Sequence, residues 1–227
     1  MAEPLKAYAK PSKPERGNPH QYPLAAIEKI ASDLAYAGGF PIPPVTLFTR
    51  RDAPGGEAIH HAVSAVPFAS THHWRLVRER PSLYAAIKNL AIPAMSAMMV
   101  FDTWVDCYDH RDHPDNLLFT VDAGVPLKVH FAFIDYGLSM LYAWRQASWN
   151  RNEAVPMYDA SIECDPAVVS EAVGAIEKIS SDLINQVVTR IPQHFLLEAD
   201  QALLMEGLVG RQALLREIFR PMLGGES

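Results

Sequence analysis

The chain has 227 residues, of which 49% are hydrophobic and 20% are charged, a composition typical of a globular protein that can bury a sizeable core. Its net charge of -6 argues against a nucleic-acid binder that relies on overall charge, and two cysteines, Cys107 and Cys164, cannot form a disulfide framework. The first residues lack a signal-peptide core, and the longest apolar run, Leu90–Phe101, is interrupted by Pro93. We therefore expect a cytoplasmic protein with no membrane span and no direct nucleic-acid partner.

The first eighty residues predict two short strands around one helix. Apolar–polar alternation predicts a strand at Leu5–Ala9, and the prolines that follow predict a loop. Apolar residues at helical spacing predict an amphipathic helix over Leu24–Ala37, which a Gly-Gly pair ends. A second short strand is predicted at Val45–Phe48, and the weak alternation between residues 57 and 68 favours no element.

The middle of the chain predicts helices followed by a hairpin. A helix is predicted over Leu83–Leu90, and Pro93 is placed to begin a further helix that runs to about Val105. A polar segment, Asp106–Asn116, follows this helix. After it, two apolar runs, Leu117–Val121 and Val129–Ile134, lie on either side of turn residues. The central segment therefore predicts a β-hairpin.

The last third of the chain is predicted to be helical. Asp165 and Pro166 are typical of a helix start, and an apolar stripe from there continues to Leu183. Pro192 predicts a break, and a second helical region over Leu196–Ile218 is predicted to be interrupted near Gly207 or Gly210. Strands in the first part and helices in the second indicate an α+β fold.

The polar segment and the hairpin contain the candidate chemistry. The hairpin is expected to bring Asp135, at the end of its second strand, close to Asn116 at the start of its first, with Asp109 or Asp112 beside them. Phosphoryl transfer uses one carboxylate to orient the attacking hydroxyl, and an asparagine with a second carboxylate to hold Mg²⁺. The segment therefore has the residue types that phosphoryl transfer requires.

The same segment resembles a known family. The stretch FDTWVDCYDHRDHPDNLLF, followed by FAFIDYGLS, is similar to the catalytic and metal-binding loops of HipA-like kinases, within the phosphatidylinositol 3/4-kinase-like fold. Upstream, the stretch AIEKIASDLAYAGGFPIPPVTLF resembles the family's glutamate-bearing helix and the proline-rich sequence that follows this helix. The resemblance covers most of the chain and implies a kinase-like fold that uses ATP and Mg²⁺.

The resemblance assigns roles position by position. Asp135 and Asn116 match the metal-binding aspartate and asparagine of the family. Asp109 matches the catalytic aspartate when the alignment is counted from Trp104. Lys10 matches the family's strand lysine, which contacts the nucleotide phosphates. Glu28 matches the helix glutamate that partners this lysine.

Three departures from the family pattern concern the same site. The family places its catalytic aspartate five residues before the asparagine, a position that Arg111 occupies here, so that Asp109 and Asp112 both remain candidates for the base. Cys107 stands where the family often has asparagine, and only nine residues precede Lys10. These departures raise the alternative that the chain is a degenerate relative.

The predicted architecture is a protein-kinase-like fold that consists mainly of the helical C-lobe, with a central β-hairpin and a truncated N-lobe. Residues 1–80 are expected to form the reduced N-lobe, and residues 81–227 the helical C-lobe. The predicted function is ATP- and Mg²⁺-dependent transfer of the γ-phosphoryl group to a hydroxyl of a protein Ser/Thr or of a small molecule. The alternative is a catalytically degenerate kinase-like binding or regulatory module.

The histidines and cysteines suggest no further site. Their spacing matches no zinc signature, so histidines such as His110 and His113 are interpreted as loop or surface residues. Cys107 is interpreted as a buried, inert thiol.

Overall fold

The structure, a computed structural model, describes residues 7–11, 23–51, 58–65, 70–122, 124, 126–140 and 153–223. Its first sheet has three antiparallel strands in the order β1-β3-β2. They are β1 (Ala7–Pro11), β2 (Val45–Arg51) and β3 (Ala58–Ala65). The strand predicted at Leu5–Ala9 thus lies partly outside the described residues, and the undecided segment after residue 57 contains β3.

This sheet has an inner and an outer face. Lys10 and Leu47 both lie opposite Ala62 of β3, so these three side chains share one face. Ala62 is buried, and Leu47 packs on the same small cluster, together with Phe195 from the connection between two C-terminal helices. The inner face therefore contacts the rest of the protein, and Lys10 is on it.

The first helix, α1 (Leu24–Gly38), buries its apolar stripe as predicted and ends at Gly39, whose φ of 75° is easily adopted by glycine. Ser32 fastens β2 to this helix, because its hydroxyl donates to the Pro43 carbonyl at 2.8 Å and accepts from the Val45 amide at 3.1 Å. The sheet and α1 thus form one unit.

A second sheet contains the predicted hairpin. Its strands are β4 (His72–His73), β5 (Leu117–Asp122) and β6 (Lys128–Phe133), in the order β4-β5-β6. Phe119 and Phe131 lie opposite each other in the hairpin, and their rings are 6.3 Å apart. The hairpin prediction is confirmed.

Five further helices follow β3 within the described residues: α2 (Trp74–Arg78), α3 (Pro81–Trp104), α4 (Pro166–Glu177), α5 (Ser181–Thr189) and α6 (Glu198–Phe219). The Asp165 carboxylate accepts from the Ala167 amide at 2.9 Å, which confirms the predicted cap of α4. Gly207 and Gly210 both lie inside α6, so the predicted interruption there is wrong.

Two other predicted boundaries are also wrong. The two helices expected on either side of Pro93 are one helix, α3, since packing of its buried second half offsets the hydrogen bond that proline removes. The stripe expected to continue to Leu183 is split between α4 and α5, because Ser180 caps a new helix by accepting from the Leu183 amide at 3.2 Å.

By length and composition alone, α3 would be able to cross a membrane, although Pro93 interrupts its apolar run. A single helix of this kind is weak evidence, because core helices pass the same test. In this protein Met98–Trp104 is buried among the other elements, and the Trp104 indole donates to the Leu208 carbonyl of α6 at 2.9 Å. The second half of α3 is therefore a core helix of the fold.

Candidate functional site

The hairpin brings Asn116 and Asp135 to the same end of the second sheet. Leu117 pairs with Phe133, and the Ile134 amide donates to the Asn116 carbonyl at 2.9 Å. Asn116 ends a short 3₁₀ turn that begins at Pro114, so its side chain lies where the polar segment enters the strand. Asp135 is thus one residue beyond the last backbone contact to Asn116.

Asp135 has a left-handed backbone, with a φ of 76°. A non-glycine residue in this conformation costs on the order of 1–2 kcal/mol, so neighbouring contacts must hold it. The Asp135 amide donates to Glu28 Oε1 at 3.2 Å, and the Asp135 carbonyl lies 3.2 Å from His110 Nε2. Side chains from α1 and from the polar segment therefore contact the backbone of Asp135 on both sides.

Lys10 reaches the same point from the first sheet. Its ammonium forms an ion pair with the Asp135 carboxylate, and each side chain is about one third exposed (32% and 35%). Glu28 is only 4% exposed, and burial raises its pKa, with the Lys10 charge acting in the opposite direction. Among the described residues, Lys10 is thus paired with Asp135, and its charge acts on the buried Glu28 carboxyl.

The two candidate bases differ in their surroundings. Asp109 is half-buried, and its carboxylate lies 3.2 Å from His113 Nε2, whereas Asp112 is exposed. Burial raises the pKa of Tyr158 well above its usual value, and negative charges that include Asp109 and Asp135 raise it further. Asp109 and Asp135 therefore both act on the buried Tyr158 hydroxyl, which donates to the His113 carbonyl at 3.3 Å. Of the two aspartates, Asp109 is thus the half-buried one that acts on the same hydroxyl as Asp135, and Asp112 is the exposed one.

His110 lies in the segment between α3 and β5, but it is buried, so its interpretation as a surface histidine is wrong. Its Nδ1 lies 2.9 Å from Asp102 Oδ2, and its Nε2 lies 3.0 Å from the Ile134 carbonyl. Burial disfavours the charged ring, but Cys107 and Asp102 outweigh burial and raise the pKa of His110 well above its usual value. His110 therefore joins the end of α3 to the strand end that precedes Asp135.

Asp102 was missed by the sequence reasoning. It lies on the buried side of α3, and its second oxygen accepts from the Tyr136 hydroxyl at 3.0 Å. Asp102, Cys107 and His110 are the one group of three potential metal-ligating residues in the described part of the chain. The 2.9 Å Asp102–His110 contact is an ordinary hydrogen-bond distance, and Cys107 is buried as predicted. The sequence signal that could have identified Asp102 was a single aspartate in an otherwise apolar stretch of the helix.

A second support of the polar segment was also missed. Asp115 accepts from Arg75 Nη1 at 3.1 Å through its carboxylate, and its carbonyl lies 2.8 Å from His73 Nδ1. These contacts attach the residue before Asn116 to α2 and β4. The backbone that leads into Asn116 is thus held by α2 and β4.

A comparison with solved structures supports the predicted fold. No protein-family model matches the chain, and no curated protein matches its sequence. The chain is similar to a crystal structure of the Helicobacter pylori proinflammatory kinase CtkA, with a TM-score of 0.69 and 14% identity, over 100% of this chain and 91% of that chain. At this identity the likeness shows the fold alone. The predicted α+β kinase-like fold, with its small N-terminal part and central hairpin, is confirmed.

Proposed function

We propose that this chain is an ATP- and Mg²⁺-dependent phosphotransferase of the HipA-like type. It transfers the γ-phosphoryl group to a hydroxyl of a protein Ser/Thr or of a small molecule. The observation that carries the proposal is the meeting of Lys10 with Asp135, one residue beyond the backbone contact to Asn116. A cation and a carboxylate from distant parts of the chain thus meet close to the backbone of Asn116, in a chain with a kinase-like fold.

The residues at the hairpin end fit Mg²⁺. Asp135 and Asn116 offer carboxylate and amide oxygens, which are the ligands that Mg²⁺ prefers. The Asp135 side chain is 35% exposed and already attracts a cation, Lys10. Asp135 and Asn116 would hold the metal ion, which when bound neutralises the phosphate charge and orients the transferred group.

The chain's own residues have distinct roles in this proposal. Lys10 moves from Asp135 to the phosphate oxygens, and its position on the inner face of the first sheet allows it to do so. Glu28 accepts a hydrogen bond from the Asp135 amide at 3.2 Å and so positions the residue that Lys10 contacts. Asp109 accepts a hydrogen bond from the attacking hydroxyl, since it is half-buried and acts, like Asp135, on the Tyr158 hydroxyl, whereas Asp112 is exposed.

The alternative proposal is a catalytically degenerate kinase-like module that binds or regulates. One observation favours it: the spacing of the polar segment places Asp109 seven residues before Asn116, where five is the family pattern. A module of this kind would still bind nucleotide through Lys10 but would not transfer the phosphoryl group.

Further parts of the proposal concern organisation and setting. We assign residues 1–80 to a reduced N-lobe and residues 81–227 to a helical C-lobe, with ATP and a protein substrate as partners. The burial of Met98–Trp104 supports a protein without a membrane span, and the net charge of -6 supports the lack of a direct nucleic-acid partner. The proposed setting is the cytoplasm.

The test separates binding from transfer. Calorimetry with ATP in Mg²⁺ and in EDTA should show tighter binding with Mg²⁺, and Asp135→Ala should abolish the gain. Asp122→Asn is the matched control, because Asp122 lies at the opposite end of β5 and is 64% exposed. The proposal fails if Mg²⁺-ATP does not bind or if D135A keeps the full gain. Binding without ATP turnover or autophosphorylation would favour the degenerate module.

A further inference from the structure

Arg211 is a buried cation on the C-terminal helix. It lies on α6 and is only 1% exposed. Its Nη2 lies 3.6 Å from the Asp106 carboxylate, and its Nε donates to the Thr103 carbonyl. The guanidinium thus contacts the last residues of α3 and the residues that follow the helix, 103–107, which we name the α3 turn.

The α3 turn contacts both parts of the chain that form the proposed site. The Cys107 amide, at the start of the polar segment, donates to the Asp102 carbonyl at 2.8 Å. The Met140 amide, a few residues after Asp135, donates to the Val105 carbonyl at 2.7 Å. Residues leading to Asp109 and residues following Asp135 are therefore fastened to the same turn.

Two residues at this turn have left-handed backbone conformations. Asp106, within the turn, has a φ of 55°, and Met140, which is hydrogen-bonded to the turn, has a φ of 57°. Aspartate enters this region more readily than most residues, but both conformations need support from the surrounding structure. The Arg211 guanidinium contacts the side chain of Asp106 and a carbonyl of the same turn, and so supplies such support.

A buried ion pair is weak evidence for stability, since well-packed apolar residues often do as well. A planar guanidinium, however, can bind a carboxylate and a carbonyl together in one fixed geometry, which a lysine ammonium does less well. The ion pair of Arg211 with Asp106 is therefore better explained by geometry than by stability.

We infer that Arg211 is a positioning residue: through Asp106 and the α3 turn, it sets the backbone on which the segments of Asp109 and Asp135 depend. Its guanidinium lies against Asp106 and the Thr103 carbonyl, and from there it acts through the turn. The inference rests on the proposed function only in treating those two segments as the active site.

The experiment measures amide hydrogen exchange by mass spectrometry on the full chain. Asp106→Asn with Arg211→Gln removes both charges together, which avoids leaving one charge buried without its partner. We expect amides in residues 103–116 and 133–140 to exchange about ten-fold faster, while α4 and α5 keep their rates, as for a local opening. Arg216→Met is the matched control, because Arg216 lies on the same helix, pairs with Glu177 and is 64% exposed.

A milder variant keeps the inference testable if the double variant does not fold. Arg211→Lys retains the positive charge but loses the planar guanidinium with its several N–H donors. It should accelerate amide exchange in the same two segments about three-fold, with no change in α4 or α5. Unchanged rates in the two segments, or equal acceleration in every helix, would overturn the inference.

A second readout tests the link to the site. The gain in ADP affinity from Mg²⁺ should fall at least about ten-fold in the double variant and stay unchanged in R216M. If the unaltered chain shows no Mg²⁺-dependent ADP binding, the proposed function fails, but the exchange comparison still decides the role of Arg211.

Discussion

The Lys10 ammonium lies against the Asp135 carboxylate, and this ion pair joins the first sheet to the end of the central hairpin. Both side chains are about one third exposed, although the Lys10 Nζ itself is buried against its partner. On the proposed function, phosphate oxygens compete for Lys10 and Mg²⁺ competes for Asp135. The pair is then the contact that nucleotide binding must replace.

Replacing Lys10 with methionine should weaken nucleotide binding and leave stability nearly unchanged. Because the Asp135 carboxylate stays partly exposed to water, loss of its partner should cost only about 1 kcal/mol, whereas loss of a phosphate contact should reduce ATP affinity at least about ten-fold. Lys29→Met is the matched control, since Lys29 pairs with Asp33 on α1 at 2.7 Å, with 23% of its side chain exposed. Calorimetry and thermal unfolding measure the two effects. Equal ATP affinity in K10M and K29M would contradict the role of Lys10.

The two candidate bases should separate in a transfer assay. Asp109→Asn should slow phosphoryl transfer by about 10²–10⁴-fold without weakening Mg²⁺-ATP binding, because the carboxylate acts on the hydroxyl. Asp112→Asn, one turn away and exposed, should change the rate little. Single-turnover phosphorylation of the chain or of an added substrate gives the rates. A large loss in D112N with none in D109N would reverse the assignment.

Breaking the buried Asp102–His110 pair should destabilise the protein. Asp102→Asn removes the carboxylate that contacts both His110 Nδ1 and the Tyr136 hydroxyl, and breaking a buried pair of this kind costs about 3–5 kcal/mol. Asp122→Asn removes an exposed partner of His130 at 3.0 Å and should cost less than about 1 kcal/mol. Denaturant unfolding of both variants at the same pH makes the comparison. A loss in D102N no larger than in D122N would show that the pair contributes no more than a surface contact.

Acidification should weaken the fold through His60. The His60 ring lies 5.3 Å from that of His194 and 4.6 Å from that of Phe195, and its Nδ1 is 3.1 Å from the Thr49 hydroxyl. Burial, together with the charges of His194 and His61, lowers its pKa below the ordinary value of 6.5.

The sign follows from proton uptake. Because the unfolded chain binds a proton at His60 more tightly than the folded chain, the stability is complete above pH 6.5 and falls as the pH drops below that value. His60→Gln should make the melting temperature less dependent on pH between about 5 and 6.5, whereas the exposed His72→Gln should not. An unchanged slope in H60Q would show that His60 does not link pH to stability.

Local sequence patterns predicted much of the fold for identifiable reasons. The apolar stripe of α1, the Asp165 cap and the two apolar runs of the hairpin depend on contacts within a few residues, so their patterns are visible in sequence. The boundaries at Pro93 and Ser180 were wrong because packing of α3 outweighed a helix breaker, and a single cap split a continuous stripe. Propensity is a weak prior where tertiary contacts decide.

The candidate site divides in the same way. The hairpin by itself brings Asn116 and Asp135 together, because antiparallel strands joined by a short turn must return to their starting edge. Sequence determined in this way the α+β class, the hairpin and the residue types of the site. Only the tertiary structure decided that Lys10 meets Asp135, and that Asp109 is half-buried while Asp112 is exposed. It alone also buried His110 between Asp102 and the strand end, because these contacts join residues that no local period relates and whose burial depends on the whole core.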